Sequence, residues 1–536
     1  MSFQKEISNA LSYITAQGYQ IHPEAFNILK NLDSNIMEII QKVVKFKKSH
    51  NDTNIILIED IGNFCTIKIS NELDNLTTSD PKFQDNTIET INEIQEYKII
   101  STQKITTDKL NYRESFKIIY DSADYIDPEE GINGYISLFK SRFHQSLKIL
   151  STRPESKRIN KISSIKRKIK QKNNNNNYLE NNYLENNISL NGNTSIIAGL
   201  VMSKRSKKNN IELAIDDLTG IINTIALNEE TIKLVSKLTL DQMVMLEIEN
   251  KGINYVIKNV VSPDIPDHIP NKGKTDEYVV LISDLHIGSK YFNENEFIKF
   301  LNWLNSSSDN EIVSKIKFLC IGGDLIDGVG IFPNQEKELN DSTIYQQMCH
   351  LTNLLDQIPK KIQVFVIPGN HDLGRRALPQ PAIPKKDSEI LYSWKNFTML
   401  GNPSYIELNG VKILMYHGQG LDDIIATIPG LSYSNPAEAM KILLKARHLS
   451  PIYGQRTPIS PEKDDMMVIT EVPDIFHSGH VHVMDVQNYR GTLIVNSGTW
   501  QDQTPFQQTM GIMPTSGIAI AVNLSTLRPF QIDFSQ

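Results

Sequence analysis

The sequence has little cysteine and no long apolar run. Its 536 residues include three cysteines, Cys65, Cys320 and Cys349, and none of them forms a C-x-x-C pair. This spacing supports neither a zinc ribbon nor a disulfide framework, so we expect a reducing, intracellular compartment. No stretch approaches the roughly 20 apolar residues of a membrane span. The N-terminal MSFQKEISNA also lacks the apolar core of a signal peptide. We therefore expect a cytoplasmic protein with no membrane partner.

A strong net charge is absent as well. The chain carries 55 Lys and Arg against 62 Asp and Glu, a formal net charge of −7. Charge of this size does not by itself indicate a nucleic-acid-binding protein. The hydrophobic fraction of 40% is ordinary for a globular protein, and the length predicts a multidomain chain.

Changes in composition divide the N-terminal part of the chain. Residues 1–50 have apolar residues at helical spacing and predict a small helical domain. Residues 51–150 are a mixed region that ends in an amphipathic helix over 135–150. Residues 151–193 join a basic run to an Asn-rich tandem repeat, which predicts a disordered linker. The basic run, with eight Lys or Arg over 157–172, serves either as a solvated tether or as a contact for DNA phosphates.

Residues 194–270 contain short apolar runs at intervals of about ten residues with turn residues between them, which predicts a small β-barrel. The stretch IELAIDDLTGIINTIAL predicts two strands around the turn DLTG. SKRSKKNN, residues 203–210, is predicted to be a basic loop. The pattern resembles an OB-fold, which binds oligonucleotides in many proteins and holds proteins together in others.

From residue 275 to 536, apolar strands repeatedly end in clusters of Asp, His and Asn. The clusters are D-L-H after YVVLIS, D-L-I-D-G after IKFLCIGG, N-H-D after VFVIPG, H-G after VKILMY and H-V-H after VPDIFHSG. Helix-like segments separate several of them. This alternation predicts an α/β domain of layered sheets flanked by helices, with a site at the ends of its strands.

The clusters supply carboxylates, imidazoles and one amide, but no thiolate. Such oxygen and nitrogen donors suit manganese, iron, zinc or nickel. The donors outnumber the ligands of a single tetrahedral site. We therefore predict two divalent metal ions, an arrangement that stabilises in-line attack on phosphorus.

The order D-x-H, G-D-x-x-D-G, G-N-H-D, H and G-H-x-H resembles the calcineurin-like metallophosphoesterase superfamily, and every ligand position of that pattern is filled. The resemblance implies two metal-ligand sets that share Asp324 as a bridge. They are Asp284, His286, Asp324 and His482 for one ion, and Asp324, Asn370, His417 and His480 for the other. It also implies that His371, oriented by Asp327, stabilises the transition state or protonates the leaving oxygen.

Longer stretches resemble the small subunit of archaeal D-family DNA polymerases (DNA polymerase II). Among them are LISDLHIGSKYF, IGGDLIDGVGIFP and NSGTWQDQTPFQQTMGIMPT. The resemblance implies a manganese-dependent 3′→5′ exonuclease that proofreads single-stranded or mismatched DNA 3′ ends. It also implies a large catalytic polymerase subunit as partner, in a heterodimer or a higher assembly. Two alternatives remain open, an inert scaffold subunit and another phosphoesterase on the same metal site.

Four further residues are candidates for DNA contacts. Arg375 and Arg376, just after G-N-H-D, either bind phosphate or pair with surface carboxylates. Trp500 and Phe506 either stack on bases or pack in the core.

Overall fold

The structure is a computed structural model that describes residues 10, 13, 14, 16, 17, 19–21, 36–50, 55, 56, 116–167, 194–251, 254–306 and 311–536. The chain divides into two compact units, over residues 1–108 and 109–536, and each is described by itself. Residues 51–115 of the mixed region, apart from 55 and 56, and residues 168–193 of the predicted linker lie outside the described residues.

The first unit contains a helix and a pair of very short strands. These are β1 (Gln20–Ile21), α1 (Ile36–His50) and β2 (Ile55–Ile56), with β1 and β2 paired in parallel. The apolar residues of α1 recur at helical spacing, which gives the helix one buried face. That face is formed by Ile36, Ile40, Val43 and Val44, packed with Ala10 and Ile14.

The described part of the second unit begins with β3 (Phe116–Asp121) and α2 (Gly131–Leu150). The amphipathic helix predicted over 135–150 is confirmed and begins earlier, at Gly131. Its buried face includes Leu138 and Phe143.

The predicted disordered linker is wrong for residues 151–167. Helical residues 162–167 place Ile162 and Ile165 in the barrel core. The Ile162 N–H donates to Asp217 Oδ2 over 2.7 Å. Isoleucines recur every three residues within the basic run, so one face of this run is apolar and packs on the barrel.

The predicted barrel is a closed five-stranded sheet, ordered β4-β5-β6-β8-β7. Its elements are β4 (Thr194–Lys207), β5 (Asn210–Asp216), β6 (Ile221–Ala226), α3 (Glu229–Ser236), β7 (Met243–Lys251) and β8 (Asn254–Val261). The hairpin predicted around DLTG is confirmed, since β5 and β6 pair antiparallel. The basic loop predicted over 203–210 is wrong, because β4 continues to Lys207 and pairs with β5 along that stretch.

The remaining chain builds two stacked sheets with helices outside them. The strands are β9 (Tyr278–Ile282), β10 (Ile316–Ile321), β11 (Gln363–Val366), β12 (Phe397–Met399), β13 (Ser404–Leu408), β14 (Val411–Met415), β15 (Ile475–Ser478), β16 (Met484–Tyr489), β17 (Thr492–Ser497), β18 (Ile518–Asn523) and β19 (Pro529–Asp533). The helices are α4 (Glu294–Leu304), α5 (Glu311–Lys315), α6 (Ile344–Leu355), α7 (Glu389–Ser393), α8 (Gly420–Thr427), α9 (Pro436–Ala446) and α10 (Pro505–Met510). Short 3₁₀ helices span Ser122–Tyr125, Pro154–Arg158, Gln335–Lys337 and Lys385–Asp387.

The two sheets run β12-β11-β10-β9-β18-β19 and β16-β17-β15-β14-β13-β3. They pack face to face over a core that includes Leu281 and Phe365 from the first sheet and Ile413 and Val495 from the second. α4 and α6 cover the outer face of the first sheet, and α8 and α9 cover that of the second. This is the layered α/β arrangement predicted from the sequence. Within the described ranges, no helix has the length and apolarity needed to cross a bilayer.

A buried ion pair connects α2, the barrel and the domain built on the two stacked sheets, which we call the sandwich. Arg142 is fully buried, and its Nε donates to Asp465 Oδ2 over 2.6 Å. Its Nη1 donates to the main-chain oxygens of Asp241 and Pro451. His448 Nε2 lies 3.0 Å from the same Asp465 oxygen. One guanidinium therefore holds together three segments that are far apart in the sequence.

Replacing Arg142 with alanine is expected to destabilise the second unit. Burial raises the pKa of Asp465, but Arg142 and His448 outweigh it and lower that pKa. The substitution would leave this carboxylate buried without its main cation, at a cost of roughly 3–5 kcal/mol. Calorimetric melting of the purified chain would measure the loss. Lys148→Ala, at an exposed position of the same helix, is the matched control. An Arg142→Ala melting temperature equal to that of the wild type would contradict the role of the pair.

Candidate metal centre and its cavity

The polar clusters that follow the strands meet at one place. β9, β10 and β11 are parallel, as are β14 and β15, so the carboxyl ends within each group lie together. The residues that the sequence proposed as metal ligands all lie just beyond these ends. They are Asp284 and His286 after β9, Asp324 after β10, Asn370 after β11, His417 after β14, and His480 and His482 after β15.

Many of these residues have a left-handed backbone. The φ angles are 54° at Asp284, 50° at His286, 52° at Asp324, 72° at His480 and 61° at His482. Such angles are uncommon outside glycine, cost about 1–3 kcal/mol each and concentrate at functional sites. The strand ends are therefore held in strained turns at the positions that carry the donor side chains.

Asp284, His286 and His482 form one buried group, whose ligand atoms lie within 4.8 Å of one another. His286 Nε2 is 3.0 Å from His482 Nε2, and His482 Nε2 is 3.4 Å from Asp284 Oδ1. The Nδ1 atoms are occupied elsewhere. His286 Nδ1 lies 3.0 Å from Asp327 Oδ1, and His482 Nδ1 lies 2.7 Å from Gln507 Nε2. The Nε2 atoms of His286 and His482 therefore both point to the centre of this group.

Asp324, His417 and His480 form a second group within the same 4.8 Å limit. His417 Nε2 lies 3.3 Å from Asp324 Oδ2 and 3.0 Å from Asn370 Oδ1. His480 Nε2 lies 3.0 Å from Asp422 Oδ2, which leaves His480 Nδ1 as the ring nitrogen available to a ligand.

The hydrogen bonds of His417 test whether a cation fits. His417 Nδ1 lies 2.8 Å from the Gly322 carbonyl oxygen and donates to it. In the neutral imidazole, Nε2 is then an acceptor, and it faces the acceptor oxygens of Asn370 and Asp324. Lone pairs that converge in this way are stabilised by a cation. Oxygen and nitrogen donors are also the ligands that divalent transition metals prefer. The residues present fit a divalent metal centre.

The pKa values reflect the same concentration of negative charge. Burial lowers the pKa of His417, but Asp324 and Asp284 outweigh it and raise that pKa to about 10. His286 is also buried, and Asp327 together with Asp324 raises its pKa to about 9. A site that favours a proton this strongly also favours a metal cation.

Asp324 lies at the junction of the two groups. Its Oδ1 accepts the His371 N–H over 2.8 Å, and its Oδ2 lies 3.7 Å from His286 Nε2. Burial raises the pKa of Asp324, but His417 and His371 outweigh it and hold the pKa well below its ordinary value. The Asp324 carboxylate therefore lies where it can contribute to both donor groups.

His371 is partly exposed beside this junction. Its Nδ1 lies 2.8 Å from the main-chain oxygen of Asp327, which leaves Nε2 as the free ring nitrogen. The Asp327 carboxylate instead lies beside His286. Asp327 therefore orients His371 through its carbonyl and His286 through its side chain. Burial lowers the pKa of His371.

A cavity of about 650 Å³ opens over the two groups. Asp324, Asn370, His371, His480 and His482 line it from below. Its other lining residues include one cation and several apolar side chains, namely Arg456, Ile331, Phe332, Pro333, Phe506, Met510 and Ile512.

The predicted DNA contacts have different outcomes. Base stacking by Trp500 is wrong, because Trp500 is fully buried, with its ring 5.0 Å from Phe297 and 5.2 Å from Phe300. Arg375 is paired, with Nη1 2.6 Å from Glu462 Oε1, a carboxylate that is buried rather than at the surface. Arg376 and Phe506 are both exposed, so core packing of Phe506 is wrong, and the DNA contacts of these two residues stay predictions.

Apart from Asp327, the sequence did not single out the side chains that support the donors. Asp422 binds His480 from the first turn of α8. Asp372 accepts the main-chain N–H groups of Leu325 and Gly369 over 2.9 Å and 2.8 Å, which ties two ligand-bearing turns together. The HGQGLDD stretch contains an acidic pair that indicates Asp422. Gln507, which lies beside His482, comes from a segment with no such signal.

Comparison with known proteins assigns the chain to a family. A family model for the B subunit of DNA polymerases alpha and epsilon matches residues 279–483. The DNA polymerase II small subunit of Pyrococcus horikoshii is 34% identical over 91% of this chain and 76% of its own length. That of Methanothermobacter thermautotrophicus is 36% identical over 77% of this chain and 82% of its own length. The chain belongs to the DNA polymerase II small subunit family. The resemblance to archaeal D-family small subunits is thereby confirmed.

The match to some of these relatives is partial. The chain covers 64% of the Pyrococcus furiosus small subunit, at 39% identity, and 63% of the Pyrococcus abyssi small subunit, at 38% identity. A solved archaeal phosphodiesterase is 12% identical over 48% of this chain and 98% of its own, with a TM-score of 0.25. That score is too low to support a statement about the fold, which rests on the sheet order given above.

Asp422→Asn is expected to weaken metal binding about 10- to 100-fold, the usual effect of removing a side chain that orients a ligand histidine. Asparagine keeps the shape of Asp422 but removes the charge beside His480. Calorimetric titration of the metal-stripped chain with Mn²⁺ would measure the affinity. Asp387→Asn, at an exposed position, controls for charge removal. Equal Mn²⁺ affinity in Asp422→Asn and the wild type would contradict the assignment.

Proposed function

We propose that this chain is the small subunit of a replicative DNA polymerase of the D family, which has two subunits, and carries its 3′→5′ proofreading exonuclease. The observation that carries the proposal is the complete set of carboxylate, amide and imidazole donors gathered beneath an open cavity. A protein that served only as an inert scaffold would have no need of five strained backbone positions beneath such a cavity. The family of the chain supplies the replicative context.

The architecture supports specific fold assignments. We assign residues 275–536, which form the sandwich together with β3, as a calcineurin-like phosphoesterase domain, because its donors follow parallel strands of two stacked sheets. We assign the barrel, over 194–270, as an OB-fold, because five strands close with a helix between the third and the fourth.

The two donor groups support two divalent ions with Asp324 between them. Asp284, His286 and His482 would complete one ligand set, and Asn370, His417 and His480 the other, as a calcineurin-like site implies. Manganese is the metal that the family leads us to expect, and iron, zinc and nickel suit the same donors. Bound metal ions would supply Lewis-acid stabilisation of charge on the phosphoryl oxygens.

His371 is proposed to act directly on the phosphodiester. The Asp327 carbonyl holds its Nδ1 proton, so Nε2 is the atom that can exchange a proton with the substrate or stabilise its charge. Its main-chain N–H is fixed by Asp324. The imidazole is thereby positioned by the same carboxylate that joins the metal-ligand groups.

DNA 3′ ends, single-stranded or mismatched, are the proposed substrates. A cavity of about 650 Å³ lies within the usual range of small-ligand sites and is open to a chain end. Arg456 lines it and is exposed, so this guanidinium is available to a backbone phosphate. The proposed partner is a large catalytic polymerase subunit, since the relatives are named small subunits of DNA polymerase II.

Degradation of a 5′-labelled primer with a 3′ mismatch would test this function. With Mn²⁺ we expect stepwise shortening from the 3′ end. His371→Ala should slow it about 10²- to 10⁴-fold, the usual contribution of a positioned acid or base. Asp324→Ala should abolish it, because both ligand groups lose their shared carboxylate. His144→Ala, at an exposed position of α2, should leave the rate unchanged.

The alternatives predict different results in the same assay. No shortening, even with the large subunit and several metals supplied, would favour the scaffold. Hydrolysis of a phosphopeptide but not of DNA would favour another phosphoesterase. Shortening that persists in Asp324→Ala would assign the activity to a contaminant.

Chelation provides an independent expectation. Removal of divalent ions with EDTA should stop DNA shortening, and excess Mn²⁺ should restore it. The reason is that the proposed metal ions stabilise the charge on the phosphoryl oxygens during hydrolysis. The shortening rate before and after dialysis would be compared. Undiminished activity in a chain shown by elemental analysis to be metal-free would contradict the two-metal proposal.

A further inference from the structure

The cavity has an apolar rim above its polar floor. Phe506 is 68% exposed and Phe332 is 39% exposed, and both line the cavity. Apolar side chains that line one cavity gain free energy when a ligand covers them. The donor groups and His371 account for the floor but leave the rim without a role.

Phe506 is held in a fixed relation to the floor. It lies on α10, whose first turn is closed by a capping box between Thr504 and Gln507. The next residue, Gln507, is buried, and its Nε2 lies 2.7 Å from His482 Nδ1. An exposed ring and a ligand-orienting amide are thus adjacent on one short, capped helix.

The Phe332 side of the rim is tied to the floor in a comparable way. Gln335 is buried, and its Oε1 accepts the Ile331 N–H over 2.9 Å. Its Nε2 donates to Asp327 Oδ2 over 2.7 Å. A glutamine therefore connects each aromatic part of the rim to the floor, Gln507 by direct contact with His482 and Gln335 through Asp327.

The polar floor and the apolar rim of the cavity together indicate the kind of ligand that would fit. The floor suits a phosphodiester, and the rim suits a flat apolar group close to it. A nucleotide has both parts, and stacking on phenylalanine does not distinguish among the four bases.

We propose that the rim is a base-binding site in which Phe506, with Phe332, stacks on a nucleobase at the 3′ end of the DNA and thereby positions the scissile phosphodiester. This inference rests on the proposed exonuclease function and adds a substrate-positioning element to it. It makes a base at the chain end, rather than the phosphodiester alone, a requirement for rapid cleavage.

The first test compares a single-stranded oligonucleotide that has a normal 3′-terminal nucleotide with one whose 3′-terminal nucleotide is abasic. Loss of a base–aromatic stack lowers kcat/KM by roughly 5- to 150-fold. We expect the wild type to prefer the normal end by such a factor. A second substrate pair, abasic at the penultimate position, covers a stack one nucleotide further in.

Phe506→Ala should reduce this preference towards one, and Phe506→Leu should give an intermediate value, because leucine is apolar but not planar. Since the Phe506 side chain is exposed, neither change removes core packing. Tyr345→Ala, which removes a 46% exposed aromatic ring on α6 that does not line the cavity, should keep the full preference. A preference that Phe506→Ala leaves intact at both positions would overturn the proposal.

A binding measurement separates this proposal from the exonuclease itself. An oligonucleotide with 2-aminopurine at its 3′ end would be mixed with the His371→Ala chain and Mn²⁺. Stacking on an aromatic ring quenches 2-aminopurine fluorescence, so quenching that a second change, Phe506→Ala, removes would support the base site even if no DNA were hydrolysed. Hydrolysis by the wild type combined with quenching that does not depend on Phe506 would overturn the base site and leave the exonuclease standing.

Discussion

The buried carboxylate of Asp324 is the group on which the rest of the site depends. A carboxylate without access to water is stable only when donors and positive charge surround it. Here it accepts the His371 N–H and faces the rings of His286 and His417. These partners follow strands of both sheets, so the sandwich must bring the sheets together to surround this one side chain. The requirement extends to Gly369, where a Cβ would clash with Asp324 Oδ1.

Around this centre, the protein fixes each imidazole through its other ring nitrogen. Asp327 holds His286, the Gly322 carbonyl holds His417, and Asp422 holds His480. Most of the supporting groups come from loops and helix starts rather than from strands. The sheets therefore set the position of the histidine backbones, and the surrounding loops set the orientation of the rings. A change in a loop can alter the metal centre without touching a ligand.

The sequence predicted much of this arrangement, for a physical reason. A buried parallel strand is a short apolar run, and the polar residues that follow it in the sequence lie at its carboxyl end. A motif such as G-N-H-D directly after such a run therefore predicts where its side chains lie in the fold. Contacts between distant segments leave no such pattern. Nothing near Trp500 distinguishes a buried ring from an exposed one, and Glu462, which pairs with Arg375, lies far along the chain. The charge and polarity of residues 151–167 predict a linker, but their regularly spaced isoleucines are the feature that the structure bears out.

The pairing of β3 with β13 has a consequence for how the chain is made and divided. β3 lies before the barrel in the sequence, yet it completes the edge of a sheet whose other strands come after the barrel. During synthesis, β3 leaves the ribosome before the barrel and β13 have been made. It therefore cannot pair with β13 until the whole barrel has been synthesised. A fragment cut at the start of the barrel would expose the β13 edge, and an exposed edge recruits other strands. The sandwich is therefore discontinuous in sequence, and the barrel lies as an insertion within it.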